Sequence, residues 1–272
     1  MSRVSGHDRP ARRVSVRPLP EIQILEDIEA MSLAAALRFA GASAESIASK
    51  GTFSVALSGG STPRALYRLL GSDRYIRSID WQHVHLFWAD ERCVAPDHEQ
   101  SNFKLARDAF LSKVPLPAGN VHRIRGEESP DAAAEAYDAR LREFFRKGLP
   151  AFDLILLGVG EDGHTASLLP GSPALKERLR LAVAVYRHPP ELNRVTLTLP
   201  VINSAHEVIF LVSGAAKASI VRTVLEDSQA KLIYPAAMVT PLTGSVSWLI
   251  DTSAAALLNK ASLSGGGGER RG

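Results

Sequence analysis

Four short segments of this 272-residue chain combine residue types that handle protons or bind anions. The sharpest is Gly158-Val159-Gly160-Glu161-Asp162-Gly163-His164-Thr165. An imidazole, with an unperturbed pKa near ~6.5, offers a lone pair at neutral pH that can take a proton from water. His164 follows an apolar run, sits among glycines, and has Asp162 two residues before it to orient the ring. We read His164 as a general base with Asp162 as its partner; a structural histidine is the plainer alternative. The spacing Gly158-x-Gly160-x-x-Gly163 also matches a dinucleotide fingerprint, but a helix should run on from the third glycine. Pro170-Gly171 interrupts within two turns, and Tyr186-Arg187-His188 stands where the ribose-binding acid belongs, so no dinucleotide site is expected.

The second segment is Ser58-Gly59-Gly60-Ser61-Thr62-Pro63. Gly59 and Gly60 let backbone amides approach an anion, the hydroxyls of Ser61 and Thr62 add donors, and a helix opening at Pro63 favours negative charge. The same residues also suit an ordinary glycine turn with a helix cap. The Gly-Lys-Ser/Thr ending of a nucleotide P-loop is missing. Third comes Asp90-Glu91-Arg92, either a solvated charge cluster or a site where Arg92 presents its fork to a phosphate or carboxylate. Fourth is Ser213-Gly214-Ala215-Ala216-Lys217, where Lys217 is either a helix-surface lysine or an anion contact. His83 and His85 alternate along one strand face without a third ligand, so no metal is read there. Cys93 lacks a base, and no Gly-x-Ser-x-Gly elbow marks a serine hydrolase.

These segments share a position: each follows a strand-like run. Residues 52–57, 83–88 and 207–213 have strand character, and Phe152 to Leu157 is apolar enough for a strand buried on both faces. Further strands are expected at 181–186, 194–199 and 246–250. Helices are expected at 27–48, after Pro63, near 101–112, at 131–147 and at 215–227, with a short Ala-rich one after the last strand. Alternating strands and helices imply an α/β, Rossmann-like single domain, its mostly parallel sheet flanked by helices on both faces. Such sheets bind ligands outside the carboxyl ends of their strands. We divide the chain into a flexible basic N-terminal tail (1–18), a catalytic domain (19–258) and a flexible C-terminal tail (259–272).

Composition narrows the partners. The net charge of +3 is concentrated at the ends, where residues 1–17 carry five arginines against Asp8, so the body is acidic and no nucleic-acid footprint is expected. A single cysteine excludes an internal disulfide and suits a reducing, cytoplasmic setting. No stretch approaches the ~20 apolar residues of a membrane span. A monomer or small homo-oligomer is expected.

Taken in order, the motifs are distinctive. Leu57-Ser58-Gly59-Gly60-Ser61-Thr62-Pro63, Trp88-Ala89-Asp90-Glu91-Arg92 with Ser101-Asn102 downstream, Gly158 to Leu168, Arg194 to Pro200 and Val212 to Lys217 together resemble the 6-phosphogluconolactonase family over about residues 20–258. The resemblance implies hydrolysis of 6-phosphogluconolactone in the oxidative pentose phosphate pathway, without metal or organic cofactor, on a fold shared with the glucosamine-6-phosphate deaminases. It implies His164 as general base, with Ser61, Thr62, Arg92, Lys217 and Arg194 around the phosphate or the reacting carboxyl end. Two rivals stand beside it. The amino-sugar-phosphate isomerase/deaminases continue His-Ile-Ala-Phe-Asn-Glu, where this chain has His164-Thr165-Ala166-Ser167-Leu168-Leu169, and leucine transfers no proton. A non-catalytic sugar-phosphate-sensing domain would ordinarily add a helix-turn-helix, and residues 1–20 are too short and proline-rich for one.

Overall fold

A computed structural model describes residues 20–146 and 148–259. The tails read at 1–18 and 259–272 therefore lie, apart from Asn259, outside the described residues. In chain order the elements are β1 (Glu21–Leu25), α1 (Ile28–Lys50), β2 (Phe53–Leu57), α2 (Ser61–Leu70), α3 (Asp73–Ser78), β3 (Val84–Trp88), β4 (Asp90–Arg92), α4 (Asn102–Ala106) and α5 (Pro130–Phe145). They continue with β5 (Leu154–Leu157), β6 (Ala182–Val185), β7 (Arg194–Leu197), α6 (Leu199–Ile202), β8 (Glu207–Val212), α7 (Ala218–Glu226) and β9 (Ser245–Asp251).

Six strands form one parallel sheet in the order β1-β9-β8-β5-β2-β3. Its centre is the apolar run foreseen at 152–157, whose Leu154 to Leu157 are at most 1% exposed, as a strand covered on both faces requires. Helix α1 lies on one face, where Arg38 donates to Ser247 Oγ of β9 at 2.9 Å. The neighbouring Trp248 faces the other side, in a groove it shares with Val224 and Leu225 of α7. The C-terminal end of α5 sets Phe144 and Phe145 against Phe87 of β3 and Phe152. The α/β single-domain architecture expected from the sequence is the one found.

The strands at 181–186 and 194–199 do not join that sheet. They form an antiparallel pair, β6–β7, and β7 in turn pairs antiparallel with β4 to make a second sheet ordered β4-β7-β6. Length decides this, because the eight residues between β6 and β7 fall short of the dozen or more that a parallel crossover needs. Other expectations shift. Asp90–Arg92 is itself a strand rather than the loop that ends one. Helix 101–112 is α-helical only over Asn102–Ala106 and then widens into a π turn over Arg107–Leu111. Helix 131–147 spans Pro130–Phe145, where Arg146 adopts φ 57° and breaks the helix. Residues 252–257 form turns instead of the Ala-rich helix. His83 belongs to a 3₁₀ turn before β3 and does not share a strand face with His85. Strand β1 has no counterpart in the sequence reading; it exists through parallel pairing with β9.

Candidate active site

Strands β2 and β5 are neighbours at the middle of the large sheet, and the chain leaves them in opposite directions, towards β3 and towards β8. This is the switch point at which an open parallel sheet leaves a crevice. A cleft of about 220 Å³ opens there, lined by Gly59, Gly60, Ser61, Thr62, Asp90, Arg92, Asn102, Gly160, His164, Arg194 and Lys217 among others. Every residue expected at the site lines it except Asp162, which stands behind His164. All four chemistry-bearing segments thus converge, together with Arg194 from the small sheet.

On the β5 side, the loop is built around the imidazole. Asp162 Oδ1 lies 2.5 Å from His164 Nδ1 and also accepts the His164 backbone N–H at 3.1 Å. Gly160 N–H donates to His164 O at 2.9 Å, and Gly163, at φ 78°, turns the chain between them. A β-carbon on Gly160 would lie 2.1 Å from His164 Nδ1 and 2.5 Å from Asp162 Oδ1, so glycine is what admits the pair. Partial burial would raise the Asp162 carboxyl, but the bonds and charge of His164 outweigh it and hold Asp162 below the usual carboxylate range. An ionised Asp162 accepts the Nδ1–H, which leaves the lone pair on Nε2. No protein group among the described residues bonds Nε2.

On the β2 side, Ser58 Oγ donates to Leu156 O at 2.7 Å and Tyr67 OH donates to Ser58 O at 2.6 Å, fixing the turn to β5 and α2. Gly60 takes φ 107° and precedes α2, whose first turn has neither a side-chain cap nor an acidic residue. Its opening amides are therefore available to an anion, with the hydroxyls of Ser61 and Thr62 beside them. Gly59 fits against Asn102, whose Oδ1 would lie 1.7 Å from an added β-carbon. Asn102 Nδ2 in turn donates to Asp90 O at 2.9 Å and Asp90 Oδ1 at 3.1 Å.

Arg92 and Arg194 are directly opposed across the β4–β7 ladder. Like charges so placed repel, and both side chains carry a buried Nε without a hydrogen-bond partner. Burial pulls the Arg194 guanidinium below the usual arginine value; Asp90 counteracts this, while Arg92 and Arg187 add to it. Arg92 Nη1 donates to Gln100 O at 2.7 Å, and Arg194 Nη1 reaches Ser167 Oγ at 3.5 Å. Lys217, at the start of α7, lacks an ion-pair partner among the described residues. Such a concentration of cations around a small polar cleft is the chemistry that an anion would require.

Glu91 points the other way. It is 3% exposed and its carboxylate accepts from Arg92 N, Asn102 N, Phe103 N and Ser101 Oγ. Burial pushes Glu91 up, opposed by those backbone donors. It clasps α4 to β4 and so seats Asn102. Three participants went unassigned from sequence: Asp90, Asn102 and Ser167, visible only as motif members. Asp90 and Ser167 are 77 positions apart, a contact that only the fold makes. Cys93 is half-buried, and burial with the Glu91 charge pushes its thiol up to about 11, unsuited to a nucleophile. Among the described residues no group of three or more His, Cys, Asp and Glu could hold a metal, and no helix is long and apolar enough to cross a membrane.

The chain is thus an open α/β protein with a cation-lined cleft and a carboxylate-oriented histidine at its switch point. Residues 26–248 match the family model of glucosamine-6-phosphate isomerases/6-phosphogluconolactonase, and the chain belongs to that family. It is 39% identical over 249 residues to a probable chloroplastic 6-phosphogluconolactonase 4 of Oryza sativa subsp. indica, covering 88% of this chain and 76% of that one. With the 6-phosphogluconolactonase of the cyanobacterium Nostoc sp. it shares 40% identity over 217 residues, covering 78% of this chain and 88% of that one. Among solved structures, the 6-phosphogluconolactonase of Trypanosoma brucei superposes with a TM-score of 0.78 at 30% identity, covering 88% of this chain and 99% of that one.

Proposed function

We propose that this protein hydrolyses 6-phospho-D-glucono-1,5-lactone to 6-phospho-D-gluconate, with His164 activating water. The observation that carries the reading is the imidazole bound to Asp162 through Nδ1 on the rim of a cleft that also holds Arg92, Arg194 and Lys217. The relatives named as 6-phosphogluconolactonases support the same substrate.

The chemistry follows from the groups present. The substrate's phosphate enters the cation-lined cleft and takes hydrogen bonds from the first turn of α2, from Ser61 and Thr62, and from the guanidinium and ammonium groups. Water attacks the lactone carbonyl carbon while His164 Nε2 takes its proton. The carbonyl π-electrons move to oxygen, where cationic side chains or backbone amides of the cleft stabilise the oxyanion. Collapse of that intermediate breaks the bond to the ring oxygen, which recovers the proton from the imidazolium. The carboxylic acid formed then ionises. Asp162 keeps the imidazole in the correct tautomer and stabilises its charged form, and general-base help of this kind contributes ~10²–10⁴-fold.

Amino-sugar isomerisation is disfavoured at one position. Leu169, where the deaminases carry a glutamate, packs against the hydrophobic core and has no proton to transfer. Cys93, a lone unpaired thiol, supports a reducing compartment such as the cytoplasm. The decisive assay adds freshly prepared 6-phosphogluconolactone to pure protein and follows acid release against spontaneous opening. Acceleration that saturates with substrate is expected. Ammonia release from glucosamine 6-phosphate without lactone opening would refute the proposal, as would binding of sugar phosphate with no turnover.

A further inference from the structure

The bonding around Ser167 fixes the direction of its hydroxyl. Ser167 is fully buried, and its Oγ–H points at Asp90 Oδ2, 2.5 Å away. A hydroxyl has one proton, so the side of the oxygen turned to Arg194 Nη1 presents lone pairs to that guanidinium. The resulting order is carboxylate, hydroxyl, guanidinium. Asp90 and Arg194 both line the cleft, yet no direct ion pair joins them among the described residues. Asp90 is held from its other side by Asn102 Nδ2, and Ser167 is fixed through its backbone N–H to Thr196 Oγ1 at 3.2 Å.

We propose that Ser167 is a positioning residue that spaces Arg194 from Asp90, turning the guanidinium towards the cleft for the substrate's phosphate. The assignment rests on the lactonase reading for its ligand. A direct Arg194–Asp90 pair would satisfy the guanidinium within the protein and leave less of its hydrogen-bonding capacity for a ligand. With the hydroxyl between them, the carboxylate steadies the cation at one remove while its remaining N–H groups stay available. Ser167 lies three residues past His164 on the same loop, so one segment sets both the base and the anion anchor.

The test is a double-mutant cycle on the intact chain, read as binding of 6-phosphogluconate by titration calorimetry, with unphosphorylated gluconate as control. Ser167→Ala should weaken 6-phosphogluconate about tenfold, the order expected for one charge-assisted hydrogen bond, and leave gluconate unchanged. Arg194→Ala should weaken it at least as much, and Ser167→Ala should add less than twofold in the Arg194→Ala background. In turnover, Ser167→Ala should raise KM with kcat changed less than about threefold. Ser167→Cys, which refills the space with a poor acceptor, should behave like Ser167→Ala and provides the measurement if the alanine variant is unstable. Independent, multiplicative losses in the cycle would overturn the proposal, as would equal weakening of gluconate or an unaltered affinity in both Ser167 variants. The cycle is scored by binding alone, so a wild-type protein that binds 6-phosphogluconate but opens no lactone removes the hydrolytic reading and leaves this one standing or falling on its own result.

Discussion

The missing methyl at Gly160 gives the sharpest test of the proposed base. Its φ lies outside the left-handed region, so alanine fits the backbone, but the new β-carbon would sit 2.1 Å from His164 Nδ1 and 2.2 Å from Cε1. Ordinary contact is about 3.5 Å, so the ring must retreat by roughly 1.4 Å. The same β-carbon would lie 2.5 Å from Asp162 Oδ1, which prevents the pair from moving together without losing its bond. A misplacement of about 1 Å costs on the order of 10²-fold, and loss of the base ~10²–10⁴-fold. We therefore expect Gly160→Ala to lower kcat by about 10²–10³-fold, or roughly 3–4 kcal/mol at the transition state. KM should stay within about threefold and Tm within a few degrees. Initial rates of acid release from fresh lactone, corrected for spontaneous opening, measure this. The same substitution in a His164→Ala background should have no further effect on kcat. A Gly160→Ala enzyme of normal kcat, or one equally impaired with and without His164, would refute the reasoning.

Three other outcomes are expected. Asp162→Asn should lower kcat by about 10–10³-fold with little change in KM, because an amide neither stabilises the imidazolium nor enforces the Nδ1–H tautomer; steady-state kinetics on the lactone decide this. Arg92→Ala should raise KM at least about tenfold for the phosphorylated lactone while kcat changes less, and an unaltered KM would remove Arg92 as an anchor. His122 provides a pH test of stability. Burial, then the Arg140 and His85 charges, push its imidazole down to about 3, so the folded protein stays unprotonated there while the unfolded chain takes up a proton below ~6.5. Stability is thus fully present above ~6.5 and falls by up to about 1.4 kcal/mol per pH unit as acid is added, until the folded group itself titrates near 3. Urea melts from pH 7 to pH 4 should show a slope that His122→Gln reduces.

How much was legible depended on the range of the contacts involved. Phe152 to Leu157 announced a doubly buried strand because four consecutive apolar residues, Leu154 to Leu157, follow Asp153, and His164 stood out because glycines and an aspartate flank it locally. The strand-to-helix junctions at Gly60 and Lys217 were readable for the same reason: turn chemistry is written within a few residues. Asp90–Arg92 was not, since three consecutive charged residues look solvated until donors at Ser101, Asn102, Phe103 and Ser167 arrive to satisfy the Asp90 and Glu91 carboxylates in the interior. The antiparallel sheet went unseen although the short β6–β7 connection contained the clue. Strand β1 was invisible because Glu21 to Leu25 becomes a strand only beside β9, more than two hundred residues away. Arg194 was placed by family resemblance; its partnership across the ladder with Arg92 needed the fold.

Those two opposed arginines bear on how firmly the empty protein holds together. Their mutual repulsion weighs against the small sheet, and on the proposed reading of the cleft an anion lodged between or beside them would relax it. Any species that occupies the cleft stabilises the folded chain, by about 2.7 kcal/mol at a concentration a hundred times its dissociation constant. Melting temperatures of this protein therefore belong to the chain and its buffer jointly, and a phosphate solution will report a sturdier molecule than a zwitterionic one of the same pH and ionic strength.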